Sequence, residues 1–297
     1  MRRLPNPKAI LAAMLAMSVG QATTTSAGQR DYTDTDWTVT LHDNCGLPVP
    51  SSRAVHADRQ GSVRWTTVGK DRQLIFHLRR GDRGRCRSDD RPRHGAPFWE
   101  RAELRQIGAL DPLRRHRISL TAKFADGFIG RRETFLQIHG WTGDCPSAPL
   151  AMLQMHRRAL RATLLTVPPS SDAERRGTLR PVPMDRIDVT DLRDSDTAIV
   201  LDLDMTARPY LASLTVNGQT LFSERPVHAV PCAVPRIKLG IYRPGGINPG
   251  RSTLIVDDIR VDSTPPPGET LGTARRPTAA QPGPSAIVPI TARSPSP

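Results

Sequence analysis

Between residues 60 and 262 the chain alternates apolar and polar positions in short runs, and long helical periodicity is missing. The segments SVRWTTVG (62–69), RQLIFHLRR (72–80), RISLTAKF (117–124), ETFLQIHGW (133–141) and LAMLQMHR (150–157) each read as a strand. So do RATLLTV (161–167), TAIVLDLDM (197–205), YLASLTVNG (210–218), RIKLGIYR (236–243) and STLIVDDIRVD (252–262), all bounded by Gly, Pro, Asp or Asn. Within LTVNGQTLF, Asn217-Gly218 marks a hairpin, because a two-residue turn needs positive φ angles and Asn-Gly supplies them. Many antiparallel strands in one domain require two packed sheets or a barrel. The expectation is an all-β, two-sheet antiparallel jelly roll, a concanavalin-like sandwich whose concave open face forms a substrate groove.

Both ends depart from this pattern. Residues 1–27 open with Arg2, Arg3 and Lys8, pass through AILAAMLAMSVG and reach small residues near Ala22 and Ala27, the order of a secretory signal peptide. The apolar run is too short to span a bilayer, and no later stretch is long and apolar enough. A soluble protein without a membrane span, secreted or periplasmic, is therefore expected. Residues 264–297 are dominated by Pro, Ala, Thr and Ser and cannot bury enough apolar surface to offset chain entropy, so a disordered Pro-rich tail is expected. The remaining 28–263 suffices for one core and one domain.

The four cysteines, Cys45, Cys86, Cys145 and Cys232, lack the paired spacing of a zinc ribbon. Export favours disulfides instead. Of the three connectivities, Cys45–Cys86 with Cys145–Cys232 is preferred, since the first pair falls in one N-terminal stretch and the second would brace the candidate site. Formal charge is +13, and losing the three basic leader residues would leave +10, almost all of the excess being Arg. Such a balance draws nucleic acid, phospholipid headgroups or acidic polysaccharide, although Arg spread over a solvated surface gives the same number. Low aromatic content and the absence of zinc-finger or helix-turn-helix patterning argue against nucleic acid.

Three strand segments carry more chemistry than a solvated face needs. In ERAELRQ, Arg101, Glu103 and Arg105 alternate with Ala102 and Leu104, which arrays two guanidinium groups around a carboxylate. In LQIHGW, Gln137 and His139 share a face, with Trp141 following, while Leu136 and Ile138 enter the core. In IKLGIYRPGG, Lys238, Gly240 and Tyr242 share a face, and Gly240 leaves a bare spot for a ligand to approach the backbone. Singly, each has a plainer explanation: a surface ion-pair ladder, a hydrogen-bonded structural His, a packing Tyr. LQMH at 153–156 repeats the Gln-x-His spacing in weaker surroundings.

Together these residue types meet the needs of one reaction. A uronic acid linked through its 4-oxygen is cleaved by removing the C5 proton and expelling that oxygen. The carboxylate must be neutralised or hydrogen-bonded, which suits Gln137 with Arg101 and Lys238. A base must take the proton, which suits His139, an imidazole with an ordinary pKa of about 6.5. An acid must protonate the departing oxygen, and Tyr242 can do so if a nearby cation, for which Lys238 is a candidate, lowers its pKa.

RAELR, LQIHGW and KLGIYR, in that order, resemble the three signature strands of β-jelly-roll polysaccharide lyases, over about residues 60–262. The third motif is more similar to the heparin lyase I and glucuronan lyase type than to alginate lyases, which typically place an amide-bearing residue after the Tyr where this chain has Arg243-Pro244-Gly245. The resemblance implies His139 as base and Tyr242 as acid, or Tyr242 as both if proton and leaving group lie on one side of the ring. It implies uronate contacts from Gln137, Arg101 and Lys238, with Glu103 orienting the arginines. Arg105, Trp141 and Arg243 are assigned to neighbouring subsites. Some relatives bind calcium; no carboxylate cluster for it stands out, Asp257-Asp258 fitting a turn or strand edge equally well, so no cofactor is expected and a structural calcium stays open.

The expected function is an exported polysaccharide lyase, a monomer, that cleaves an anionic uronate polymer by β-elimination and leaves 4,5-unsaturated ends. The rival is a non-catalytic binding protein for acidic polysaccharide on the same scaffold. It has no need of a proton-transfer pair. A glycoside hydrolase would want two opposed carboxylates, and Glu103 has no partner within the three segments.

Overall fold

The computed structural model describes residues 30–31, 37–41, 44–48 and 62–265, apart from 69–70, 85, 87–88, 93, 126, 142–147, 167–177, 231–232 and 247–249. The expected leader and nearly all of the tail lie outside these residues, as do Cys145 and Cys232. Cys86 is disulfide-bonded.

In chain order the strands are β1 (Arg30–Asp31), β2 (Trp37–Leu41), β3 (Asn44–Pro48), β4 (Ser62–Val68), β5 (Asp71–Leu78) and β6 (Trp99–Gln106). There follow β7 (Arg115–Phe124), β8 (Glu133–Ile138), β9 (Ala151–His156), β10 (Ala159–Thr166) and β11 (Thr178–Pro181). After a one-turn helix α1 (Val189–Leu192) come β12 (Asp196–Asp204), β13 (Tyr210–Val216), β14 (Gln219–Val227), β15 (Ile237–Pro244) and β16 (Ser252–Thr264). Asp188 caps α1 by accepting from the Thr190 N–H, a local signal too short for periodicity to reveal.

The strands form two antiparallel sheets. One runs β14-β13-β12-β7-β16-β5-β4, with β1 on β16; the other runs β11-β10-β9-β8-β15-β6-β2-β3. Neighbours such as β7 and β16, or β8 and β15, are distant in sequence, which is the crossing pattern of the expected jelly roll. Phe76 and Phe124 from the first sheet meet Ala102, Leu104, Phe135, Leu136, Leu239 and Ile241 from the second in one apolar core. Phe124 packs edge-on against Phe128 and Phe135, with ring centroids 5.0 and 5.2 Å apart. Each such side chain contributes about 1.5–3 kcal/mol by leaving water.

The two sheets differ in one respect that matters for function. In β7 and β12 burial alternates residue by residue, as a sheet with one wet face requires. In β6, β8 and β15 nearly every residue is buried, polar ones included. One face of these three strands covers the core, and the other is closed over by its own polar side chains.

Candidate functional site

The strands β8, β15 and β6 lie side by side, so three segments far apart along the chain become neighbours. Directly paired residues project to the same face, and the register fixes which ones meet. Lys238 stands between Gln137 of β8 and Arg105 of β6. Tyr242 stands between Thr134 and Arg101, past a bulge that separates Leu239 from Tyr242. Ala102, Leu104, Leu136, Ile138, Leu239 and Ile241 occupy the opposite, core face.

Glu103 is the hub of the other face. Its carboxylate accepts from Arg101 Nη1 at 2.8 Å and from Gln137 Nε2 at 2.7 Å, and Lys238 Nζ lies 3.8 Å away. A carboxylate only accepts, so this contact fixes which end of the Gln137 amide faces it. Arg101, Glu103 and Gln137 are 5%, 3% and 4% exposed, so the cluster is a buried network and not a solvated ion-pair ladder. Buried charges persist only when paired. Asp89, from the loop before β6, supplies the second partner, accepting from Arg101 Nη2 at 2.5 Å. Burial pushes the Asp89 carboxyl up, and Arg101 pulls it back down.

The Tyr242 ring stacks on Trp99 at 4.7 Å between centroids and carries the Arg101 guanidinium 4.2 Å from its centre. The cation beside the phenol is therefore Arg101, not Lys238, which the register places four residues further along β15. Burial draws the Lys238 ammonium down to about 8, with Glu103 opposing and Arg101 and Arg105 reinforcing the drop. Arg105 is exposed, and burial together with Arg236 lowers its pKa, which places a second guanidinium close by.

His139 follows the last residue of β8, and its backbone N–H donates to the Arg236 carbonyl at 2.8 Å. Half-buried, it leans on Trp141 with ring centroids 5.1 Å apart, and Trp141 is 42% exposed. His139 and Tyr242 thus stand on the same face of the same sheet, six residues apart along β15 counted from Arg236. That is roughly 20 Å of extended backbone, which the two long side chains and a sugar must span between them.

Two sequence expectations are corrected. Arg243 is no subsite residue: alternation turns it inward, where it is fully buried. It donates to Glu100 at 2.6 Å, Glu133 at 2.9 Å, Ser252 Oγ at 2.7 Å and the Gly250 carbonyl at 2.9 Å. Gly240 leaves no bare spot for a ligand. With φ of +138° it sits in the bulge, and a Cβ there would run into the Ala102 carbonyl and come within 2.9 Å of Phe76 in the core. The glycine serves close strand packing.

Sequence reasoning missed Asp89 and Trp99. Trp99 was within reach, standing two residues before Arg101 on the same strand face. Asp89 sits in a loop with no periodicity to expose it. Among the described residues no cluster of three or more His, Cys, Asp or Glu suits a metal ion. Asp257 instead accepts from Gln73, and Asp258 pairs with Arg260. No helix among the described residues is long and apolar enough to cross a membrane.

No protein-family model matches the chain, and no curated protein is similar to it in sequence. Solved structures are similar in fold. An alginate lyase from Pseudomonas aeruginosa shares 16% identity at a TM-score of 0.52, over 78% of this chain and 100% of that one. An alginate lyase of polysaccharide lyase family 7 shares 13% identity at a TM-score of 0.49, over 77% and 95%. A Chlorella virus alginate lyase shares 11% at 0.46, over 69% and 90%. At these identities the likeness concerns the jelly-roll fold.

Proposed function

We propose that this protein is an exported polysaccharide lyase that cleaves a uronate polymer by β-elimination. The observation that carries the proposal is the buried groove-face network, in which Glu103 holds Arg101, Gln137 and Lys238 together and Arg101 lies over the Tyr242 ring. Cations and an amide donor on one side of a groove suit a uronate carboxylate whose negative charge grows as the C5 proton leaves. His139 takes that proton, the C5–H electrons form the C4–C5 double bond, the C4–O bond breaks, and Tyr242 protonates the departing oxygen. Arg101, with both terminal nitrogens engaged, acts mainly by holding Tyr242 and by adding positive potential.

The fold likeness supports the reading, since the P. aeruginosa protein of the same architecture is an alginate lyase. It also widens the substrate class. The sequence reason for doubting alginate was Arg243 after the Tyr, and Arg243 is buried behind the sheet, away from any substrate. Alginate therefore joins glucuronan and heparin among the candidate polymers.

A binding protein without catalysis is the second reading, favoured by the backbone separation of His139 from Tyr242. Mass spectrometry of the products decides between them: elimination yields fragments lacking the water that hydrolysis adds, whereas a binder yields intact polymer. Export rests on the basic, apolar and small-residue order of residues 1–27, and N-terminal sequencing of protein recovered outside the cytoplasm tests it.

A further inference from the structure

The strand pairing extends the groove face beyond the three motif strands. Arg101, Tyr242, Thr134, Gln154 and Arg161 form one continuous row across β6, β15, β8, β9 and β10. Directly paired residues share a face, so Gln154 and His156 of the LQMH segment belong to the groove, while Leu153 and Met155 enter the core. Beside this row, toward the turn between β9 and β10 and the start of β8, lies a cleft of about 480 Å³ lined by Arg131, Arg132, His156, Arg157 and Arg158. Among the described residues Arg132, Arg157, Arg158 and Arg161 make no ion pair. Burial and the neighbouring Arg161, Arg132 and Arg157 hold His156 below its ordinary pKa, and burial with Arg157 and Arg132 does the same to Arg161. The guanidinium groups are thus crowded, and among the described residues no carboxylate pairs with these four.

The backbone sharpens the point. Arg157 and Arg158 are the two turn residues between β9 and β10, with φ of +51° and +66°. The same kind of turn between β13 and β14 uses Asn217 and Gly218, with φ of +49° and +78°. Asn-Gly is the pair this geometry prefers, and a pair of arginines is strained there. Arg132 also has positive φ, +55°, and its Nη1 donates to the His94 carbonyl at 3.3 Å. His94 in turn meets Trp99 edge-on at 6.3 Å, and Trp99 stacks on Tyr242. The cleft therefore adjoins the groove at its Tyr242 end.

We infer that the cleft formed by Arg131, Arg132, His156, Arg157 and Arg158, with Arg161 beside His156, is a second anion-binding site, which holds a carboxylate or sulfate group of the same polymer beyond the sugar at Tyr242. This inference rests on the proposal that the groove holds an anionic polysaccharide. Its chemistry is that of guanidinium forks on an oxyanion, common to uronates and sulfated sugars.

The test is Arg157→Asn/Arg158→Gly, made in a Tyr242→Phe background to suppress turnover. Affinity is measured by titration calorimetry against polyguluronate, which is unsulfated, and against heparin. Because the substituted turn suits its geometry better, its melting temperature should equal or exceed that of the background. Affinity should fall at least tenfold for one or both polymers, and its dependence on salt should become shallower. Loss for heparin alone assigns the site to sulfate, and loss for both assigns it to carboxylate as well. Arg161→Gln, which leaves the turn untouched, should show the same pattern. Unchanged affinity for both polymers in both variants would overturn the inference. Binding is read without turnover, so a protein that cleaves no polymer can still pass, and a working lyase can still fail.

Discussion

Single residues in the groove are set by charge accounting. Lys238 has an ordinary pKa of 10.5 and a folded value of about 8. It is a cation below pH 8 and neutral above, so its pull on a substrate carboxylate fades on the alkaline side. The expected outcome is a KM that rises above about pH 8 in the parent and is flat through the same range in Lys238→Met, read from KM–pH profiles. The same lowered value means that the unfolded chain binds this proton more tightly. Burying the lysine thus costs stability at neutral pH, and the cost is relieved between about pH 8 and 10.5. Asp89 reaches the site through Arg101, while its other carboxylate oxygen accepts from the Cys86 N–H at 3.3 Å. Asp89→Asn keeps the shape and removes one of two counter-charges, so kcat/KM should fall by roughly tenfold, about 1.4 kcal/mol, with the melting temperature lowered only slightly. A variant with unchanged kinetics would make Asp89 purely structural.

Strands explain what the sequence could and could not disclose. Arg101, Glu103, Gln137, Lys238 and Tyr242 were legible because period-two alternation assigns a face without knowing the fold, and pairing then brings those faces together. Alternation fails at bulges and ends. It placed Gly240 on the groove face, whereas the bulge beside Tyr242 turns that position against Ala102 and Phe76. It turns Arg243 away from Tyr242, but nothing nearby in sequence reveals Glu100 and Glu133 converging on it from β6 and β8. It gave no sign of Asp89, whose role depends on a loop folding over β6. Two predictions belong here. Gly240→Ala should destabilise by about 2–5 kcal/mol through positive φ and overpacking, seen as a drop of roughly 5–15 °C in melting temperature. Arg243→Met leaves Glu100 and Glu133 facing each other in the interior, so it should cost about 3–5 kcal/mol in urea unfolding. If either were neutral, the packing described for β15 would be wrong.

At the scale of the whole molecule, a two-sheet sandwich turns one face of each sheet to the core and leaves the outer face of one sheet for a ligand. The Arg excess reaches that face at both ends of the groove, through Arg105 and Arg236 beside Lys238, and through Arg132, Arg157 and Arg161 beyond Tyr242. Polymer affinity should therefore weaken as salt rises from low to physiological strength, because the exposed guanidinium groups are screened over about 8–10 Å. The central claim is that this face performs elimination and does not merely hold a polymer. Ultraviolet absorbance of the new double bond, followed during incubation with polymannuronate, polyguluronate, polyglucuronate and heparin, tests it most directly. Absorbance should rise with at least one polymer and stay flat for His139→Ala and Tyr242→Phe while both variants keep their fold; no rise with any polymer, or an undiminished rise in both variants, would contradict it.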